Sequence, residues 1–225
     1  MFPVVSASMS ENTLSENIRT VMDTLAAAYH GRGAIELGDP FQVLVATIIS
    51  QRTREEQTTA VSARVFARYP DAAALAAADE PALLDLLDGS EYREEKAPRL
   101  IALSKILVEK YGGHVPDSIE ALLELPGVGR KTANCVLIYA FKKAALCVDT
   151  HMHRITNRLG WVTTRTPDAT EKALEKIMPQ DLWAGSNRLF LQHGRALCLP
   201  SVPICSRCPV REWCAYGRNS DAKKR

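Results

Sequence analysis

"LPGVGRKTANCVL", residues 125–137, is the stretch on which the reading of the fold turns. A Pro-Gly-Val-Gly turn leads directly into Arg130 and Lys131, and these open an apolar stretch. Upstream, Asp117 and Glu120 are spaced as a capping-box pair ahead of Leu122, Leu123 and Leu125. The spacing predicts two short helices joined by a tight turn, a helix-hairpin-helix over about 117–141. The glycines permit positive φ, so the backbone can turn sharply and come close to a ligand. Backbone N–H groups at such a turn, and at the helix start after it, make a place for an anion such as a DNA phosphate. Phosphate contacts of this kind position a protein without reading sequence. The plainer alternative is an ordinary helix–helix turn followed by a solvated lysine.

Outward from that turn the chain reads as helix throughout. Ile18, Val21, Met22, Leu25 and Tyr29 keep helical spacing. Asp39-Pro40 fits an N-cap followed by proline at the first helical position, opening a helix through Ile49. Further helices are predicted over Thr53 to Arg68, near 71–78 and 80–88, and from about Tyr92 to Lys110, the last ending at Gly112-Gly113. Past the turn come a helix from about Arg130 and others over 150–159, 168–178 and 181–197. No alternating hairpin pattern is present. The fold class is therefore all-α. Residues 1–12 and the tail SDAKKR are expected to be mobile ends.

The totals set bounds. A chain of 225 residues with 46% apolar and 24% charged residues is an ordinary soluble globular protein, long enough for one large or two small domains. The start, MFPVVSASMSENT, has no basic region before an apolar run, so it does not read as a secretory signal. The run VLVATII at 43–49 is far too short to cross a bilayer. A soluble intracellular protein with no membrane partner is the expectation. The net charge of +2 is unevenly distributed. From Pro70 to Glu95 the acids Asp71, Asp79, Glu80, Asp85, Asp88, Glu91, Glu94 and Glu95 stand against Arg93 alone. From Pro126 to Arg165 the bases Arg130, Lys131, Lys142, Lys143, Arg154, Arg158 and Arg165 stand against Asp149 alone. Such segregation can mark a nucleic-acid face, although charge by itself favours a solvated surface.

Asp149, in "CVDTHMHRI", reads as the N-cap of the next helix, where backbone N–H groups and the positive helix end keep a carboxylate ionised. It follows Lys131 by eighteen residues. One helix of about three turns and a short return could bring both helix starts to one cleft. A nucleophilic lysine must be neutral when it attacks, and burial and neighbouring cations such as Arg130 favour that form. The competing readings are a capping aspartate and a solvated lysine.

Near the C-terminus Cys198, Cys205, Cys208 and Cys214 form the pattern C-x6-C-x2-C-x5-C among Pro200, Pro203 and Pro209. Four cysteines so close together in a chain without a secretory signal argue for metal ligation over disulfides. Zinc ribbons usually show two close cysteine pairs. One close pair with uneven flanks suits a loop wrapped around a single [4Fe–4S] cube. Cys135 and Cys147, in apolar surroundings, read as small core residues.

Together these elements resemble the endonuclease III branch of the helix-hairpin-helix DNA glycosylases. LPGVGRKTA, the VDTH segment and the cysteine loop match in order, and the resemblance spans about Glu16 to Tyr216. It implies two helical domains flanking a DNA-binding cleft. Residues 32–143 would form a six-helix barrel carrying the hairpin, and 1–31 with 144–225 the iron–sulfur cluster domain. It implies a bifunctional enzyme that removes an oxidised pyrimidine from duplex DNA and nicks at the abasic site. A damaged nucleotide must be extruded first, and damage makes unstacking cheaper.

By resemblance, Lys131 is the nucleophile that forms a Schiff base with the sugar C1′ and permits β-elimination. Asp149 is the catalytic carboxylate, helping to deprotonate the lysine and stabilising charge at the sugar. Gly127, Val128 and Gly129 supply the phosphate-binding backbone, with Arg130 beside them. Cys198, Cys205, Cys208 and Cys214 hold a [4Fe–4S] cluster that braces a basic loop against DNA, and Arg207 within it could reach a phosphate. Gln51, in "IISQRT", matches the residue that fills the hole left by the flipped base. Tyr92, in "GSEYREEKA", matches the wedge into the opposite strand. Arg54 departs from the usual acidic residue, which touches damage preference and leaves the chemistry intact. His151 fits the motif as a structural residue. The implied protein is a monomer acting on double-stranded DNA in a cytoplasm of prokaryotic type. A monofunctional adenine or mismatched-thymine glycosylase would carry another residue at Lys131. A non-catalytic DNA-binding module with a cluster would not need Lys131 and Asp149 together.

Overall fold

Asp39 shows how closely the local code is followed. In the computed structural model its side chain accepts the N–H of Gln42 at 3.0 Å, and Pro40 occupies the first helical position. The structure describes residues 11–30 and 38–219. The ends read as mobile lie outside the described residues, apart from Glu11 and Asn12, which stand in the first helix. Among the described residues every regular element is helical. None of these helices is long and apolar enough to cross a membrane.

In chain order the α-helices are α1 (Glu11–Ala28), α2 (Pro40–Ile49), α3 (Glu55–Arg68), α4 (Ala72–Ala76), α5 (Glu80–Leu86), α6 (Arg93–Tyr111), α7 (Ile119–Leu123), α8 (Arg130–Tyr139), α9 (Thr150–Leu159), α10 (Pro167–Ile177), α11 (Ser186–Ala196) and α12 (Ala215–Arg218). Short 3₁₀ turns stand at Gln180–Leu182, Cys205–Arg207 and Arg211–Trp213. The chain divides into two compact units, Ile35–Ala145 and Met1–Ala34 with Leu146–Arg225.

In the Ile35–Ala145 unit, α2 is the central helix. It packs against α3, α6 and α8 and buries Leu44, Val45, Ile48 and Ile49 completely. In the other unit α1 lies against α10 and α11, and α9 against α10, α11 and α12. Its core joins Met22 and Leu25 of α1 to Met152 and Ile155 of α9 and Phe190 of α11. Each such side chain contributes about 1.5–3 kcal/mol when fully buried. The N-terminal helix is thus held to the C-terminal third by apolar burial, and a bidentate Arg19–Asp181 pair adds to this at the surface.

Two expectations give way. The helix α7 is capped by Ser118, whose hydroxyl accepts the N–H of Ala121 at 3.3 Å, and not by Asp117. Asp117 instead pairs with Lys143 at 2.7 Å, which holds its carboxyl below the usual range. The single helix expected over 181–197 is broken. Gly185 adopts φ +77, and Trp183 ahead of it turns back to donate its indole N–H to Met178 O at 2.9 Å. The indole would otherwise be a half-buried donor without a partner.

Candidate functional site

The turn at 126–129 contains two glycines with different reasons. Gly127 has φ +80, and a Cβ there would make only an ordinary contact with Arg99 at 3.5 Å. Backbone conformation therefore selects glycine at this position. Gly129 has φ −93, is exposed, and a Cβ would meet no heavy atom within 4 Å. Neither conformation nor packing asks for glycine there, and a bare backbone in open space suits the close approach of a ligand. The Val128 side chain is buried, and its N–H closes the turn onto Leu125 O at 3.1 Å. One of the N–H groups expected to face an anion is thus used inside the turn. Arg130 and Lys131 are the first two residues of α8, Arg130 half-buried and Lys131 exposed.

Gln51 comes to this turn. Its Nε2 donates to Gly127 O at 3.0 Å and to Thr132 Oγ1 at 3.3 Å, bracketing Arg130 and Lys131 in sequence. Across from it, Tyr92 is 51% exposed and sits in left-handed backbone at φ +57. Arg52, next to Gln51, has φ +58, and its guanidinium lies over the Tyr92 ring at 5.7 Å from the centroid. Arg54 is exposed at the N-cap position of α3 without a side-chain capping bond.

Beneath both segments lies Lys96, 2% exposed. Its Nζ donates to Ile49 O and Gln51 O, both at 2.7 Å, and reaches Ser90 Oγ at 2.9 Å and Thr53 Oγ1 at 3.1 Å. Burial pushes the Lys96 ammonium down to about 8, with Glu91 opposing the shift. Four surrounding oxygens favour the charged form, so at neutral pH it is an ammonium. Sequence reading passes over this residue, although a signal exists. Lys96 falls on one helical stripe with Leu100, Leu103 and Leu107, and a cation on a core stripe needs partners.

The remaining sites lie in the unit that holds Leu146–Arg225. Asp149 is half-buried and caps α9, its Oδ1 accepting the N–H of Met152 at 2.8 Å. His151 contacts Arg154 through Nδ1 at 3.2 Å, and burial lowers its basicity. Gly194 faces that ring so closely that a Cβ would lie 2.3 Å from Nδ1. His153 pairs with Thr170 Oγ1 at 2.6 Å. Both histidines are therefore held by protein partners.

Cys198, Cys205, Cys208 and Cys214 line one pocket. Among the described residues no three His, Cys, Asp or Glu side chains are grouped to hold a single metal ion. Donors converge on the sulfurs: Arg158 Nη1 on Cys198 at 3.3 Å and the Gly217 N–H on Cys214 at 3.3 Å. Fully buried His193 places Nε2 3.6 Å from Cys208, while its Nδ1 pairs with the Tyr29 hydroxyl at 2.9 Å. Burial pushes the Cys208 thiol up to about 11, and the other three cysteines add to the rise. Arg154 donates to Cys198 O and Arg158 to Leu199 O and Pro200 O, so α9 carries the start of the loop. These two arginines, with Lys143, are part of the basic stretch at 126–165. Arg154 and Arg158 bond loop carbonyls of the protein itself, while Lys143 pairs with Asp117 at the exposed surface. Arg207 is exposed in its 3₁₀ turn. Cys147 is buried and Cys135 half-buried.

The family model described as "HhH-GPD superfamily base excision DNA repair protein" matches residues 45–180. Endonuclease III of Thermotoga maritima is 53% identical over 180 residues, covering 80% of this chain and 84% of that protein. Endonuclease III of Synechocystis sp. is 38% identical over 188 residues, covering 83% and 86%. Among solved structures, a trapped endonuclease III–DNA covalent intermediate superposes with a TM-score of 0.83 at 29% identity, covering 95% of this chain and 99% of that one.

Proposed function

The chain belongs to the endonuclease III branch of the HhH-GPD superfamily of base excision DNA repair proteins, and from that premise we propose how its residues perform glycosylase and AP lyase chemistry on duplex DNA. The observation that carries the reading is the bond from Gln51 Nε2 to Gly127 O at 3.0 Å. It joins the segment proposed to fill the vacated base position to the turn proposed to hold the phosphate, beside the start of the helix that bears Lys131.

The substrate is an oxidised pyrimidine in duplex DNA, or the abasic site it leaves. Gly127 and Gly129 admit the phosphate backbone closely, Arg130 and Arg207 add charge to the phosphate contacts, and Tyr92 wedges into the opposite strand. Lys131 Nζ, once neutral, bonds to the sugar C1′ as the base departs with the glycosidic electron pair. Ring opening gives a protonated imine. Loss of a C2′ proton then expels the 3′ phosphate and nicks the strand, and water releases the lysine. The Asp149 carboxylate assists lysine deprotonation and opposes the positive charge developing at the sugar. The protein acts as a monomer in a cytoplasm of prokaryotic type, associated with DNA.

Cys198, Cys205, Cys208 and Cys214 are proposed to hold a [4Fe–4S] cluster, which when bound supplies a structural brace and no step of the reaction. The donor set supports the fit: all four cysteines line one pocket. The N–H donors at Cys198 and Cys214 suit thiolate ligands. Arg158 and Arg154 hold the backbone that leads into the loop, and His193 supports Cys208.

The test is an excision panel of damaged and mismatched bases placed singly in duplex DNA. Excision and nicking at thymine glycol and at abasic sites, without action on adenine or thymine mismatches, is the expected result. Excision of a mismatched normal base without nicking would overturn it.

A further inference from the structure

Two short segments carry the side chains proposed to enter DNA. One is the turn after α2, with Gln51 and Arg52; the other is the loop before α6, with Tyr92. Both hold a non-glycine residue in left-handed backbone, Arg52 at φ +58 and Tyr92 at φ +57. Such conformations persist only where the surroundings over-determine them. The surroundings here are a single network. Lys96 Nζ bonds two carbonyls of the first segment, Ile49 O and Gln51 O, and two hydroxyls, Thr53 in the first and Ser90 in the second. Thr53 Oγ1 also accepts the N–H of Glu91 at 3.1 Å, and Ser90 Oγ reaches Ile49 O at 3.3 Å. Ile49 ends α2, so the ammonium also meets the negative end of that helix. At the surface the Arg52–Tyr92 stack closes the same pair of segments.

We infer that Lys96 is a positioning residue, a buried ammonium that locks the Gln51 turn and the Tyr92 loop into one rigid element, so that filler and wedge enter the duplex together. A merely solubilising lysine would not be 2% exposed, and a merely packing residue would not need four oxygens. The inference rests on the proposed DNA-entering roles of Gln51 and Tyr92.

The test uses the full cluster-bearing protein and duplex DNA with 2-aminopurine opposite a tetrahydrofuran abasic analogue, read at saturating protein. Wild type raises the fluorescence as the orphan base loses its stacking. Lys96→Met keeps the aliphatic stem and removes the donors, and it loses most of that rise. Its excision kcat falls by about 10²-fold while KM changes little, as expected for a misplacement of about 1 Å. Thr53→Val removes one bridging hydroxyl and leaves the other three oxygens around the buried cation. It loses part of the rise, and it carries the test alone if Lys96→Met does not fold. A wild-type rise retained in full by the folded variants overturns the inference alone. A wild-type protein that gives no rise overturns the roles of Gln51 and Tyr92, and the inference with them.

Discussion

The turn at 126–129 and the loop at 198–214 are both short, irregular and central to the proposed function, yet they are held in different ways. The turn is fixed by the chain's own backbone: one positive φ at Gly127, one closing bond to Leu125 O and a side-chain amide from Gln51. The cysteine loop has only two 3₁₀ turns of its own, and α9 arginines bind the carbonyls at its start. Cys198, Cys208 and Cys214 pack against the apolar core, and with Cys205 they line one pocket. Apolar burial and hydrogen bonds suffice for the first region. In the proposed reading, the second is organised around a [4Fe–4S] cluster that the polypeptide does not itself supply.

Removing that centre should separate the two regions most sharply. In Cys208→Ala, iron is lost and proteolysis opens residues 198–219, while the Ile35–Ala145 unit keeps its helices. Melting falls by about 10 °C or more, on a scale of about 2–4 °C per kcal/mol for a chain of this size. A colourless, zinc-loaded and equally stable wild-type protein would remove the contrast.

Next in size is Asp149→Asn. Asparagine caps helices as well as aspartate, so the bond to Met152 N and the melting temperature should persist. Base excision should fall by about 10²–10⁴-fold, the usual contribution of a positioned acid–base group. Unchanged excision would reduce Asp149 to the capping role that its geometry already displays.

The glycines of the turn give the smallest and most local contrast. Gly127→Ala forces an L-residue into φ +80 and should cost about 1–2 kcal/mol of stability. Gly129→Ala, in open space at φ −93, should leave stability within about 0.5 kcal/mol. It should still weaken binding to abasic duplex by about tenfold, which is about 1.4 kcal/mol. Calorimetry and a binding titration read the two effects separately.

The same contrast explains what was legible in the sequence. Caps and periodicity act within a few residues, so Asp39, Asp149, the boundaries of α2 and α9 and the start of α8 could be read directly. Asp117 and Ser118 compete for one helix start, and a lysine twenty-six residues away decides between them. The break at Gly185 depends on where the Trp183 indole finds an acceptor. Motif spacing pointed to Lys131 and the four cysteines, and the family resemblance to Gln51. Lys96, His193 and Tyr29 were missed because their meaning lies in partners far along the chain: Ile49 and Gln51 for Lys96, and Tyr29 with Cys208 for His193.

The central claim is that Lys131 is the nucleophile. Borohydride trapping on duplex DNA containing an abasic or thymine-glycol site tests it directly, because reduction converts the imine into a permanent covalent bond. Wild type should give a protein–DNA adduct, and Lys131→Ala, altered only at an exposed side chain, should fold normally and give none. An adduct that survives in Lys131→Ala, or a wild-type protein that traps and cuts nothing, would contradict the account.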